Sequence, residues 1–295
     1  MKTLNVLIKN TICTFLTGII FLVLGCDKKE VVIISDNKPE LIMQISWGPE
    51  KKDILGLAKS PDFYGTDYIG FSAFYVWDGS LYLYDPVKER IAAYKNNSVE
   101  VVLDYIPAKL PHSTGDIVDI AVNKHSIYIL DDFGFIERID RNTGKVVVKR
   151  NESVWGEKME WSDDRGAYHM YLLYDMLVVA SGANACFNLL DITDIECKGR
   201  IFEEYAPMWR FKGNKYGNAY EYTVLDDHEY VYDNWKNVFL YKDGMPIEEM
   251  KLTRNDGEFK MFISRYYQYG KEGIYYIDRE KEGIKLYLKK WSKAN

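Results

Sequence analysis

Short apolar runs, bounded by turn residues and alternating with polar positions, recur along most of the chain, the period-two pattern of half-buried strands. The clearest unit is SAFYVWDGSLYLYD (72–85): a strand, a tight Asp-Gly turn, and a second strand closing on Asp. The same mark returns as DIAVNKHSIYILD (119–131), HMYLLYDMLVVAS (169–181), EYTVLDDHEYVYD (221–233) and YYQYGKEGIYYID (266–278). Its closing positions, Asp85, Asp131, Ser181, Asp233 and Asp278, are 46, 50, 52 and 45 residues apart. A third strand follows each mark and a fourth follows four of them. No segment sustains a 3.6-residue apolar period, so the chain reads as all-β with little helix.

Repeated four-stranded units of this length predict the blades of a β-propeller, whose radial stacking leaves only short, protected edges. The DGSLYLYD and VDIAVN stretches resemble NHL-like and related bacterial propeller repeats, and that resemblance covers roughly residues 41–295. Direct counting gives five blades. A sixth would require one inter-repeat stretch to hide a degenerate unit, and an open sandwich or solenoid is the plainer alternative. The fifth repeat supplies only three strands before the chain ends, while an orphan strand at 41–46 precedes the first repeat. Pairing that strand with the last blade would close the ring.

The N-terminus has a different pattern. Lys2 and Lys9 precede an uncharged, mostly apolar run from Thr11 to Leu24. Fourteen residues of helix reach about 21 Å, short of the ~30 Å hydrocarbon core, so an export signal is expected rather than a spanning helix. Directly after it stands Val23-Leu24-Gly25-Cys26, which resembles the lipobox of bacterial lipoproteins. The resemblance implies diacylglyceryl transfer to the Cys26 thiol, cleavage before it, and acylation of the new amino terminus, giving a stable multi-chain anchor. Leu24 departs mildly from the small or β-branched residue usual in that motif. The expected organisation is therefore a signal peptide at 1–25, the lipidated cysteine and a polar tether at 26–40, and the propeller at 41–295. Whether such an anchor lies in the cell membrane or an outer membrane stays open.

Composition narrows the function. The formal charge of −6 becomes −8 once Lys2 and Lys9 leave with the signal. This balance argues against nucleic acid as a partner and leaves membrane contact to the acyl chains. Of four cysteines, Cys13 leaves with the signal and Cys26 carries lipid. Cys186 and Cys197 flank a hairpin in an exported compartment, where they are either bridged or two buried thiols. With a turn at 191–194 they would be diagonal neighbours on one face. No ligand spacing suggests a metal site, and no P-loop or dinucleotide fingerprint suggests a cofactor.

Two groups of side chains are candidate ligand contacts. On the propeller scheme Trp47, Trp155, Trp161, Trp209 and Trp235 fall in loops of one face, with Arg210 beside Trp209. Tryptophan offers a flat apolar contact and one hydrogen-bond donor. Aligning the repeats on their second strands stacks Ala73, Asp119, His169, Glu221 and Tyr266 at one inner-strand position, with Arg265 adjacent. Asp119, His169, Glu221 and Arg265 would then face a central channel and hold a polar ligand, or simply line a solvent-filled one. The favoured expectation is a membrane-anchored binding protein for a protein segment or glycan, or a subunit of an envelope assembly. The rival is a propeller glycoside hydrolase using Asp119 and Glu221 as its carboxylate pair.

Overall fold

Each repeat folds as one antiparallel sheet in which strands adjacent in sequence are adjacent in space. The computed structural model describes residues 33–35, 37–48, 54–59, 68–106, 117–131, 134–150, 154, 169–181, 183–198, 221–233, 237–251 and 267–292, and none of these is helical. Blade 1 runs through Ala73–Trp77, Ser80–Asp85, Arg90–Lys95 and Ser98–Asp104. Blade 2 is Ile117–Val122, Ser126–Asp131, Ile136–Asp140 and Val146–Lys149. Blade 3 is His169–Leu173, Met176–Ser181, Ala183–Asn188 and the two-residue Asp194–Ile195. Blade 4 is Glu221–Val224, Glu229–Asp233, Val238–Lys242 and Met245–Met250. Blade 5 takes Tyr267–Gly270, Gly273–Glu280 and Gly283–Lys290 from the C-terminal end of the chain. Its outer strand is Glu40–Ser46, paired antiparallel so that Ile45 faces Ile284 and Ser46 faces Gly283. The protein is a five-bladed β-propeller closed by the strand Glu40–Ser46.

Turn chemistry explains the tightness of the hairpins. Asp78 and Gly79 both have positive φ (51° and 71°), as do Asn96 and Asn97 (51° and 63°) and Asp243 and Gly244 (48° and 79°). These are the residue types that tolerate the left-handed conformation a two-residue hairpin turn demands. Gly283 serves a different need. A Cβ there would collide with the Ile45 carbonyl oxygen of the closing strand. Only glycine lets the two backbones approach at that point.

The core lies between blades, because each sheet has two apolar faces. Phe74, Leu81 and Leu83 of blade 1 cluster with Met43, Ile45, Ile284 and Leu286 of blade 5. Tyr82 and Tyr84 on the other face of blade 1 join Ile120, Ile127 and Ile129, and the cluster continues through Tyr128 and Leu130 to Met170, Leu177 and Phe187 of blade 3. Tyr171 and Val178 meet Val224 and Tyr230 of blade 4. Val231 and Leu240 meet Tyr269, Ile274 and Trp291 of blade 5. Every one of the five junctions is thus apolar, and the last returns to the first. Full burial of each such side chain is worth about 1.5–3 kcal/mol.

Two details differ from the sequence expectation. Ile33–Ser35, inside the stretch expected to be tether, forms a short strand parallel to blade 4's outer strand, with Ile33 opposite Glu248 and Ser35 opposite Met250. The hairpin of blade 3 pairs Cys186 with Ile195 and Phe187 with Asp194, and the Asn188 N–H bonds the Thr193 carbonyl at 3.0 Å. Its loop is therefore 189–192, two residues earlier than expected, with Ile192 at φ 56°. The even shift keeps the same side-chain face, since strand periodicity is two.

Candidate functional site

The inner strands position the polar residues that sequence alignment brought together. Tyr84 pairs with Ala73, Leu130 with Asp119 and Ala180 with His169, each one place before the closing residue of its second strand. In blade 4, Glu221 instead pairs with the closing Asp233, and Tyr222 takes the equivalent place opposite Tyr232. The sequence alignment is thus one residue out of register at Glu221. The Glu221 side chain lies outside the described part of the protein, as do Arg265 and Tyr266.

Asp119 is fully buried. Its Oδ1 accepts the Ile120 N–H at 2.8 Å and its Oδ2 accepts the Met170 N–H of blade 3 at 2.5 Å. His169 is 2% exposed, its Nε2 is 2.8 Å from Thr223 Oγ1 of blade 4, and its ring stacks on Tyr171 at 5.6 Å between centroids. A third residue plays the same part without having been singled out in the sequence. Gln268 of blade 5 accepts the Val76 N–H of blade 1 at 2.5 Å and donates to the Val76 carbonyl at 2.9 Å. Among the described residues, three of the five blade junctions are therefore tied by a polar side chain of one inner strand reaching the next. A carboxylate accepting two backbone N–H groups makes strong charge-assisted bonds and satisfies donors that burial would otherwise strand. This geometry holds blades in register.

The closing aspartates work similarly at the loops between second and third strands. Asp85 accepts the Gly56 N–H at 2.8 Å and the Lys88 N–H at 3.2 Å, and lies 3.5 Å from Arg90 Nε, both side chains being buried. Arg90 and Lys88 also donate to the Ile54 carbonyl, which docks the returning 54–56 segment on blade 1. Asp131 accepts the Phe135 N–H at 2.8 Å. Where the chain passes from blade 1 to blade 2, the Tyr105 hydroxyl donates to Glu137 at 2.7 Å and Lys149 pairs with the same carboxylate at 3.0 Å. Burial, reinforced by the Glu137 charge, pushes the Tyr105 pKa far above the usual tyrosine range.

Of the predicted tryptophan surface, Trp155, Trp161, Trp209 and Trp235, with Arg210, lie outside the described residues. Trp47 is described, and it belongs to the ring closure: its indole donates to the Glu280 carbonyl at 2.8 Å, and Arg279 stands 5.9 Å over its ring. Trp291 is 3% exposed and donates to the Gly270 carbonyl at 3.0 Å. Trp77 carries Arg141 at 4.3 Å over its ring. Cys186 and Cys197 are joined by a disulfide that spans the base of the blade 3 hairpin. Among the described residues no group of three His, Cys, Asp or Glu side chains gathers as metal ligands. Cys26 also lies outside the described residues.

Register reveals one aromatic arrangement that local pattern did not. Tyr267 faces Tyr276, Tyr276 faces Tyr287 and Tyr287 faces Leu41, a row crossing all four strands of blade 5. The Tyr276 and Tyr287 rings stack at 5.3 Å and 20°, and Tyr267 tilts against Tyr276 at 6.2 Å and 56°. Burial, with Asp278 and Tyr287 nearby, raises the Tyr276 pKa to about 12. A cleft of about 560 Å³ lies on the same blade, lined by Lys38, Glu40, Glu272, Leu288, Lys290 and Trp291, with Glu40 and Lys290 paired at 2.9 Å.

No protein-family model matches the chain, and no curated protein does. Solved structures do resemble it. The computationally designed Ika8 protein matches 88% of this chain and 74% of its own at 10% identity, TM-score 0.36. The designed Ika4 protein matches 63% of this chain and 98% of its own at 10% identity, TM-score 0.34. BamB from Moraxella catarrhalis matches 72% of this chain at 10% identity, TM-score 0.32, and the match spans 57% of the BamB chain.

Proposed function

We propose that this is an exported protein held on a bacterial membrane by lipid at Cys26, whose propeller binds a protein segment or glycan, or serves as a subunit of an envelope assembly, without catalysing a reaction. The observation that carries the non-catalytic part is Asp119. A glycosidic acid or nucleophile must meet its substrate, whereas this carboxylate has no exposed surface and both its oxygens accept backbone N–H groups. The anchor is supported by the order of charge, apolar run, glycine and cysteine in residues 2–26. Two measurements test the proposal. Cells fed labelled palmitate should label the native chain and leave the Cys26→Ser variant unlabelled; equal labelling of the two overturns the anchor. The full chain in a sugar-free detergent should bind saturably to at least one member of an array of envelope proteins and oligosaccharides. Silence across the array overturns the binding role.

A further inference from the structure

We propose that the turn face of blades 3 and 4 docks a basic, apolar segment of a partner protein around the Tyr174 ring, a reading that rests on the binding role proposed above and names its partner. Consecutive antiparallel strands put the inner turn (strands one to two) and the outer turn (strands three to four) at the same end of a blade. In blade 3 these turns carry Tyr174 and Leu190, and in blade 4 the outer turn leads into Met245. The three are 58%, 70% and 51% exposed. Contacts bring the turns side by side. The Tyr174 hydroxyl reaches the Asp227 carboxylate in the inner turn of blade 4, so its ring lies across the junction of the two blades. His228 of that turn is 2.8 Å from Asp243, two residues before Met245. In blade 3, Met176 faces Asn188, two residues before Leu190. Two strand spacings, about 10 Å, separate an inner turn from an outer one.

Neither the turn nor the core calls for a tyrosine at this place. Tyr174 has φ 53°, a left-handed conformation that is costly for a bulky residue, where the turns at 78–79, 96–97 and 243–244 begin with Asp or Asn. Its exposure leaves it little part in packing. Charge says what the open ring meets. The inner and outer turns of blades 3 and 4 carry six carboxylates, Asp175, Asp191, Asp226, Asp227, Glu229 and Asp243, and one lysine, Lys242. Lys242 is taken up by Glu229 at 3.1 Å, and Lys271 of blade 5 by Asp226 at 2.8 Å. Asp175, Asp191 and Asp227 form no ion pair with a described residue. An excess of negative charge therefore surrounds the ring. An arginine of a partner matches this chemistry, since its guanidinium stacks on an aromatic face and bonds a neighbouring carboxylate such as Asp175. Apolar side chains beside that arginine would cover Leu190 and Met245. A polyanion is repelled from this face, and an uncharged sugar gains nothing from its field.

The test is fluorescence anisotropy of labelled nonapeptides titrated with the full chain in a nonionic detergent. The probe is three Leu-Arg-Leu repeats; its counterparts carry citrulline or glutamate in place of arginine, or serine in place of leucine. The arginine peptide should bind saturably, the citrulline and serine peptides about tenfold more weakly or worse, and the glutamate peptide not at all. Tyr174→Asn should weaken the arginine peptide by about tenfold or more, as loss of a central aromatic contact does. Asparagine tolerates the left-handed turn, so Tm should hold or rise, whereas a tyrosine that merely ties two blades would lower Tm and leave affinity intact. Leu190→Ser and Met245→Ser, both at exposed positions, should each weaken binding without lowering Tm, so the inference stays testable if Tyr174→Asn unfolds. Absence of binding by the arginine peptide overturns the docking face, and so does equal binding of the arginine and citrulline peptides. Binding that all three variants leave unchanged overturns it too. An oligosaccharide or acidic envelope protein that binds where the arginine peptide does not overturns this face and leaves the broader binding role standing.

Discussion

Replacing Asp119 separates a ring tie from a ligand group. In Asp119→Ala the Ile120 and Met170 N–H groups lose their carboxylate acceptors inside a fully buried junction. A buried donor left unsatisfied costs about 1–3 kcal/mol, so the pair predicts a loss of about 2–6 kcal/mol. For a chain of this size about 1 kcal/mol moves Tm by roughly 2–4 °C, so Tm should fall by at least about 4 °C. Asp119→Asn keeps one acceptor oxygen but turns an NH₂ toward the other donor, and should lose about half as much. The assay is guanidinium and thermal unfolding of the full chain followed by tryptophan fluorescence. A Tm within about 1 °C of the parent for Asp119→Ala would refute the tie. A ligand-binding aspartate would behave in the opposite way, leaving stability intact and removing affinity.

Three further outcomes follow from the geometry. Gly283→Ala forces a methyl group into the Ile45 carbonyl and should loosen the closing strand at a cost of about 1–3 kcal/mol; protease cleavage near residues 37–46 should accelerate, and an unchanged rate would count against closure there. Reducing the Cys186–Cys197 bridge, or replacing both cysteines by serine, should cost close to 3 kcal/mol for a loop of about this length, read as a shift in the guanidinium midpoint. Raising the pH above about 10, where unfolded tyrosine ionises, should erode stability, because the folded chain keeps the Tyr105 proton that the unfolded chain releases; Tyr105→Phe should make that decline shallower, and an identical slope would contradict the buried hydroxyl.

The repeat made most of the fold legible. Period-two runs separated by short polar turns located the strands of the five marks, and the missing fourth strand of the last repeat pointed to its replacement at 41–46, which the structure places at Glu40–Ser46. These are local signals, or a count that has to close. What stayed hidden depends on partners far apart in sequence. The strand Ile33–Ser35 is held by a blade more than two hundred residues away. Gln268 looked like any polar strand residue until Val76 stood beside it. Asp119 and His169 were recognisable as unusual polar residues on inner strands. Their bonds to Met170 and Thr223 give them a structural role that composition and spacing do not encode. At Glu221 a one-residue slip in alignment was enough to misplace a candidate. The tyrosines were visible as an excess, but their line across blade 5 follows from strand register.

Polar residues of the inner strands tie the ring together, and the proposed role is binding without transformation of the ligand. Mass-spectrometric analysis of chitotetraose, cellotetraose, maltotetraose and a peptidoglycan glycan-strand tetrasaccharide after prolonged incubation with the full chain tests this most directly. Every tetrasaccharide should be recovered at its original length. A shortened product, formed by the parent chain and absent with folded Asp119→Asn, would contradict it.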